Sequence, residues 1–193
     1  MTTTKTRKTS RTKAGTANVI VQLPPNPFAF EVLQLTSEQK TSAKKVEVLK
    51  KYEHDSLKAI FIWNFDESVI SMLPEGDVPY FGDDSNATTI SERIAEAVDS
   101  MKELKTNSMG ATDEKHSSIR KEYAKFYNFI KGGNDSLNNL RRENIFINIL
   151  EGLHPLEAEI LCLIKDKKLQ TRYNISKEEV STAYPDITWG NRS

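Results

Sequence analysis

Three times in this chain a hydroxyl residue is followed, three positions on, by Glu or Gln, just ahead of a run with helical apolar spacing. The pairs are Thr36 with Gln39, Thr89 with Glu92, and Ser176 with Glu179. This is the spacing of a capping box. The hydroxyl accepts a free amide of the first helical turn, and the longer side chain returns to the cap's own amide. A chain punctuated in this way builds helices. The residues behind each signal agree. Ala43, Val46, Leu49 and Tyr52 follow the first at helical spacing. Ile90, Ile94, Ala97, Val98, Met101 and Leu104 follow the second, to about Lys105.

The intervening stretches read the same way. "FAFEVLQL", from Phe28, is a short first helix. His54-Asp55-Ser56 breaks the second, with Asp55 placed to cap a third. Within 57–65, Leu57, Ile60 and Phe61 fit a helix, while Phe61, Trp63 and Phe65 fit a strand; helical neighbours favour helix. "DESVISML" adds one or two turns. Residues 117–131 carry Tyr123, Phe126, Tyr127 and Ile130 as one helix, stopped by Gly132-Gly133-Asn134. Another helix spans 137–151. Gly152 ends it, and Pro155 opens a successor with Glu157 and Glu159 at its start and Lys165, Lys167 and Lys168 at its end. That placement of charge suits the helix dipole. The expected fold is all-α, a compact multi-helix domain over 27–193.

The first 30 residues hold Lys5, Arg7, Lys8, Arg11 and Lys13 and no acid, so a chain of zero net charge is a +5 arm on a −5 body. Residues 1–26 are too polar to offset their ordering entropy by burial and are expected to form a disordered basic tail. No run approaches the 18 apolar residues of a membrane span. The single Cys162 lies in the apolar run "EILCLI", so a disulfide within the chain is excluded and an inert thiol is expected.

No catalytic constellation is present. His54, His116 and His154 are not spaced as ligands on a helix, and none neighbours Cys162 in sequence, so no metal site is expected. Neither a phosphate-cradling Gly-x-x-x-x-Gly-Lys loop nor a Gly-x-Ser-x-Gly nucleophile elbow occurs. The chain therefore reads as a non-enzyme without a cofactor.

Charge placement is more informative. Arg141 and Arg142 fall near the positive start of the 137–151 helix, where each exposed cation costs roughly 0.3–1 kcal/mol. An outside anion should compensate. One reading is an ion pair that docks the acidic loop 73–86 through Glu75 or Asp77, with Tyr80 in the same loop. The other is contact with nucleic-acid phosphates. The five tail cations allow roughly four phosphate contacts, which would weaken binding on the order of 100-fold between 50 and 200 mM salt. A merely solubilising tail is the alternative.

"LPEGDVPY" at 73–80 and "GGNDSLNNLRRENIFINILEGLHPLEAEILCLIKDKKL" at 132–169 carry a family resemblance. Leu73 to Gly76 with Pro79 and Tyr80, Gly132 to Asn134, Leu140 to Glu143, Phe146 and Ile147 match its pattern. So do Leu150 and Glu151, Pro155, Glu157 to Glu159 and Lys165 to Lys168. In these motifs the chain resembles an uncharacterised family of small proteins from contractile-tailed, myovirus-type bacteriophages. The resemblance spans about 33–187. It departs in the longer basic tail and in 87–116, which reads as an inserted capped helix and linker. It implies a phage origin and a host-cytoplasmic setting, and supplies no catalytic residues. The expected role is a phage accessory protein that binds nucleic acid or a replication or transcription protein during infection. The alternative is a virion structural or assembly protein. No membrane partner is expected.

Overall fold

In the computed structural model of the protein, residues 22–78, 89–103 and 116–192 are described. The domain is all-α, with eight α-helices, two 3-10 helices and no strand among the described residues. The α-helices are α1 (Ala29–Ser37), α2 (Ser42–Lys51), α3 (Asp55–Phe65), α4 (Ile90–Glu103), α5 (Ile119–Glu122), α6 (Asn139–Gly152), α7 (Pro155–Lys165) and α8 (Lys177–Ala183). The 3-10 helices are Tyr123–Phe129 and Leu169–Thr171. No helix of the described residues is long and apolar enough to cross a membrane.

Two of the three expected capping boxes form. The Thr89 amide donates to Glu92 Oε2 (2.7 Å), and the Glu92 amide to Thr89 Oγ1 (3.1 Å). Ser176 and Glu179 exchange the same bonds at 3.0 and 3.3 Å. The first box does not form. Thr36 stays inside α1, where its hydroxyl donates back to the Val32 carbonyl (2.7 Å), and Gln39 Nε2 donates to the Leu35 carbonyl (2.9 Å). A hydroxyl bonded four residues back extends the existing helix instead of starting a new one. α2 therefore starts later, capped by Thr41. At α3 the cap is His54, whose Nδ1 accepts the Ser56 amide at 3.1 Å, and not Asp55. Residues 57–65 are helical.

The single helix expected over 117–131 is instead the short α5 running into the 3-10 helix Tyr123–Phe129. Packing accounts for the change. Phe126 and Phe129 both meet Trp63 of α3, at ring-centroid distances of 5.3 and 6.0 Å, and Phe129 meets Phe146 of α6 at 5.2 Å. A period of three residues per turn keeps two rings three positions apart on one line. "DESVISML" likewise forms no helix. The Asp66 carboxylate accepts the Ser68 amide and hydroxyl (2.9 and 2.7 Å), and the chain then pairs with the end of the 3-10 helix. That pairing runs through Met72 N to Phe129 O (2.8 Å) and Lys131 N to Ile70 O (2.9 Å).

α7 lies at the centre and packs against α1, α3, α4 and α6. Its Ile160, Leu161 and Ile164 are fully buried, as are Ile60 and Phe61 of α3. Each such side chain contributes about 1.5–3 kcal/mol relative to exposure. Most polar groups inside this core are matched to partners; among the described residues Trp63 Nε1, Arg142 Nε and Glu159 Oε2 are buried without one. Glu157, in the first turn of α7, accepts the Ala29 amide on Oε1 (2.6 Å) and the Ile119 amide on Oε2 (2.5 Å). One carboxylate thus takes the opening amide of both α1 and α5, in addition to the favourable end of its own helix dipole. Lys45 of α2 pairs with Glu179 of α8 at 3.3 Å, and the Tyr184 hydroxyl donates to the Leu49 carbonyl (2.9 Å).

Candidate functional site

Arg142 is 2% exposed and anchors one corner of the domain. Its guanidinium donates to the carbonyls of Asn128, Asn134 (3.2 Å) and Leu137 (2.8 Å). Asn128 lies in the last turn of the 3-10 helix, whose carbonyl end is electrically negative. The cation that opposes the dipole of α6 thus sits at the favourable end of the preceding helix. This corrects both sequence readings for Arg142: its partners are main-chain carbonyls rather than a loop carboxylate, and burial keeps it from phosphates. Arg141 is different. Its side chain is exposed, while its amide is capped by Asn138 Oδ1 at 2.8 Å.

The Pro-Glu-Gly loop is docked, by another cation. Lys165, at the end of α7, donates to the Pro74 and Gly76 carbonyls (2.7 and 3.0 Å) and pairs with Asp166 (2.5 Å). Asp166 in turn accepts the Gly76 amide at 3.2 Å. Glu75 and Asp77, the expected docking acids, are exposed. The loop needs Gly76 at φ +85°, a conformation that side-chain-bearing residues rarely adopt. Behind it Leu73, Val78, Phe146 and Ile147 floor a cleft of ≈ 20 Å³, rimmed by Asp77, Glu143 and Lys165. That is room for about one water. Two motifs far apart in sequence, at 73–78 and at 143–166, thus build one place in the fold. Lys5, Arg7, Lys8, Arg11, Lys13 and Tyr80 lie outside the described residues.

The surface beside Arg142 was not foreseen. Residues 120–142 hold Arg120, Lys121, Lys125, Lys131, Arg141 and Arg142 against Glu122 and Asp135, a net +4. The remaining body, 31–116 and 143–193, carries 25 acids and 16 bases, a net −9. Lys121, Lys131 and Arg141 are exposed. The same segment bears two exposed large apolar side chains, Tyr127 (51%) and Leu140 (60%), and a third, Ile70 (45%), lies on the stretch bonded to Lys131. The Lys131 amide bonded to the Ile70 carbonyl, and Arg142 bonded to the Asn128 carbonyl, join the stretches that carry them. The signal in the sequence was a second line of residues three apart, Lys121, Ala124 and Tyr127, offset from Phe126 and Phe129.

Several buried titratable groups are committed to the fold. Burial pushes the Glu157 carboxyl up to about 7, against the two amides and Arg120, which favour its ionised form. His154 caps α7 through Nδ1 and stacks on Phe30 at 5.0 Å, with the His116 ring 6.1 Å away. The fold thus brings together two histidines that are distant in sequence. Among the described residues no group of three His, Cys, Asp or Glu is arranged to hold a metal ion. Desolvation pushes the Cys162 thiol up to about 12.

A family model described as a family of unknown function, DUF6433, matches residues 32–110 and 102–171. No curated protein and no solved structure matches the chain. The matched stretches together reach from 32 to 171, well over half of the 193 residues, and include the Pro-Glu-Gly loop, the Arg142 corner and Lys165. On that extent the chain belongs to the family of unknown function DUF6433.

Proposed function

We propose that this protein is a non-enzymatic accessory factor. It binds nucleic acid, or a protein of the replication or transcription machinery, during phage infection. One observation carries the reading: the exposed cations Lys121, Lys131 and Arg141 and the exposed apolar Tyr127 and Leu140 share one segment, on a body that is otherwise acidic. Monomeric surfaces seldom group large apolar side chains without a partner to cover them. The cations select that partner by charge. The phage setting rests on the motif resemblance at 73–80 and 132–169.

Affinity purification of the tagged chain from infected cells tests the proposal. The expected result is co-purification of nucleic acid or of polymerase or helicase components, lost when Arg141 and Lys131 are replaced by Glu. Abundant peptides of this chain in purified virions, with no such association, would replace it by a structural or assembly role.

A further inference from the structure

We infer that the exposed ridge at 121–131, centred on the 3-10 helix Tyr123–Phe129, is a contact surface for single-stranded nucleic acid, with Tyr127 as its stacking ring. This rests on the binding role proposed above and assigns it a surface. In a 3-10 helix side chains three positions apart eclipse one another. One line, Phe126 and Phe129, is spent on Trp63 and the core. The next line, Ala124 and Tyr127, faces solvent, with the exposed Lys121 one step before it.

Tyr127 is therefore held out by the burial of its neighbours, not by chance. Its backbone is fixed as well. A Cβ on Gly133 would lie 1.9 Å from the Tyr127 carbonyl oxygen, so only glycine lets the returning chain close against the ridge. Asn128 Oδ1 accepts from Asn134 Nδ2 at 2.8 Å and ties the same turn a second time. The result is a half-exposed aromatic ring on a rigid base, in a segment that also exposes Lys121, Lys131 and Arg141. Lys125 also lies on the ridge but is paired with Glu122 at 2.6 Å.

A ring flanked by cations suits a strand whose bases are free to stack and whose phosphates follow at intervals. A duplex hides its base faces and would use only the charges. An acidic protein segment would use the charges and the apolar contacts of Leu140 and Ile70 without needing an aromatic ring.

The experiment measures binding of the full chain to a fluorescent 12-nucleotide oligo(dT) by anisotropy at 50 and 200 mM salt. The same measurement is made with a duplex and with poly-glutamate. Tyr127→Ala should loosen the single strand about 10-fold and leave the duplex unchanged, while Tyr127→Phe keeps the affinity. Replacing Lys121, Lys131 and Arg141 by Gln should lower the salt slope by about 2, from three lost contacts at about 0.7 each. If the wild-type chain binds oligo(dT) and these variants bind it equally well, the ridge assignment is wrong and the nucleic-acid reading survives through the tail. Tighter binding of poly-glutamate, lost with Leu140→Ser and not with Tyr127→Ala, overturns the single-strand assignment in favour of an acidic protein. No binding of either nucleic acid at 50 mM salt removes the ridge and the nucleic-acid reading together.

Discussion

Replacing Arg142 by Met tests the central piece of local chemistry. Met has similar reach and no charge, so the change removes the donors and little of the volume. Three carbonyls, the buried one of Asn128 and the half-buried ones of Asn134 and Leu137, then lose a cationic partner. Hydrogen bonds to a charged donor are worth about 1.5–3 kcal/mol each. Part of that is returned, because the buried cation carries a desolvation cost and its Nε has no hydrogen-bond partner. The net loss should be about 3–5 kcal/mol. For a chain of this length each kcal/mol lowers Tm by about 2–4 °C, so the melting temperature should fall by about 6–20 °C. Urea unfolding followed by circular dichroism at pH 7 measures it. Arg142→Lys should recover little, because a compact ammonium does not span three acceptors as the planar fork does. Arg141→Ala should stay within about 0.5 kcal/mol of wild type. If Arg142→Met moves the midpoint no more than Arg141→Ala at an unchanged m-value, the carbonyl staple does not hold the corner.

Further expectations concern the other buried charges and one glycine. Glu157 takes its proton at about 7 in the folded chain against 4.5 unfolded, so between those values the folded state binds more protons. Its contribution is full below pH 4.5 and is lost as pH rises through about 7, a fall of up to about 3 kcal/mol. Glu157→Gln should flatten that slope in urea titrations at pH 4.5, 6 and 7.5; an unchanged slope would assign it elsewhere. Lys165→Met should release the 73–78 loop, seen as faster limited proteolysis there and a stability loss of about 3–5 kcal/mol. Gly133→Ala forces a methyl against the Tyr127 carbonyl and should cost about 1–3 kcal/mol, while Gly152→Ala, which meets nothing within 4 Å, should be tolerated.

Much of this fold was readable in the chain, and the failures have physical causes. The Thr89 and Ser176 boxes formed because nothing competed for their hydroxyls. The Thr36 box failed because α1 still had a carbonyl to offer at Val32. The 3-10 helix was invisible to a search for the ordinary helical period. Its spacing is set by Trp63, more than sixty residues earlier in the chain. The arginine pair was singled out for the right reason, a cation opposing a helix dipole. Only Arg142 finds such a partner, the carbonyl end of another helix brought within reach by the turn at 130–137, while Arg141 stays exposed. The exposed Tyr127 was missed because a single helix over 117–131 places it on the same apolar face as Phe126 and Ile130.

The carboxylate of Glu157 has a temporal implication. The amide it holds at the start of α1 belongs to a residue 128 positions earlier, and the one at the start of α5 to a residue 38 positions earlier. A ribosome exposing only the first hundred residues presents a first helix whose Glu31 holds the Phe28 amide but whose Ala29 amide still lacks its partner. Both amides gain this carboxylate only once α7 has emerged, so the late-made centre of the domain completes the starts of two helices made before it.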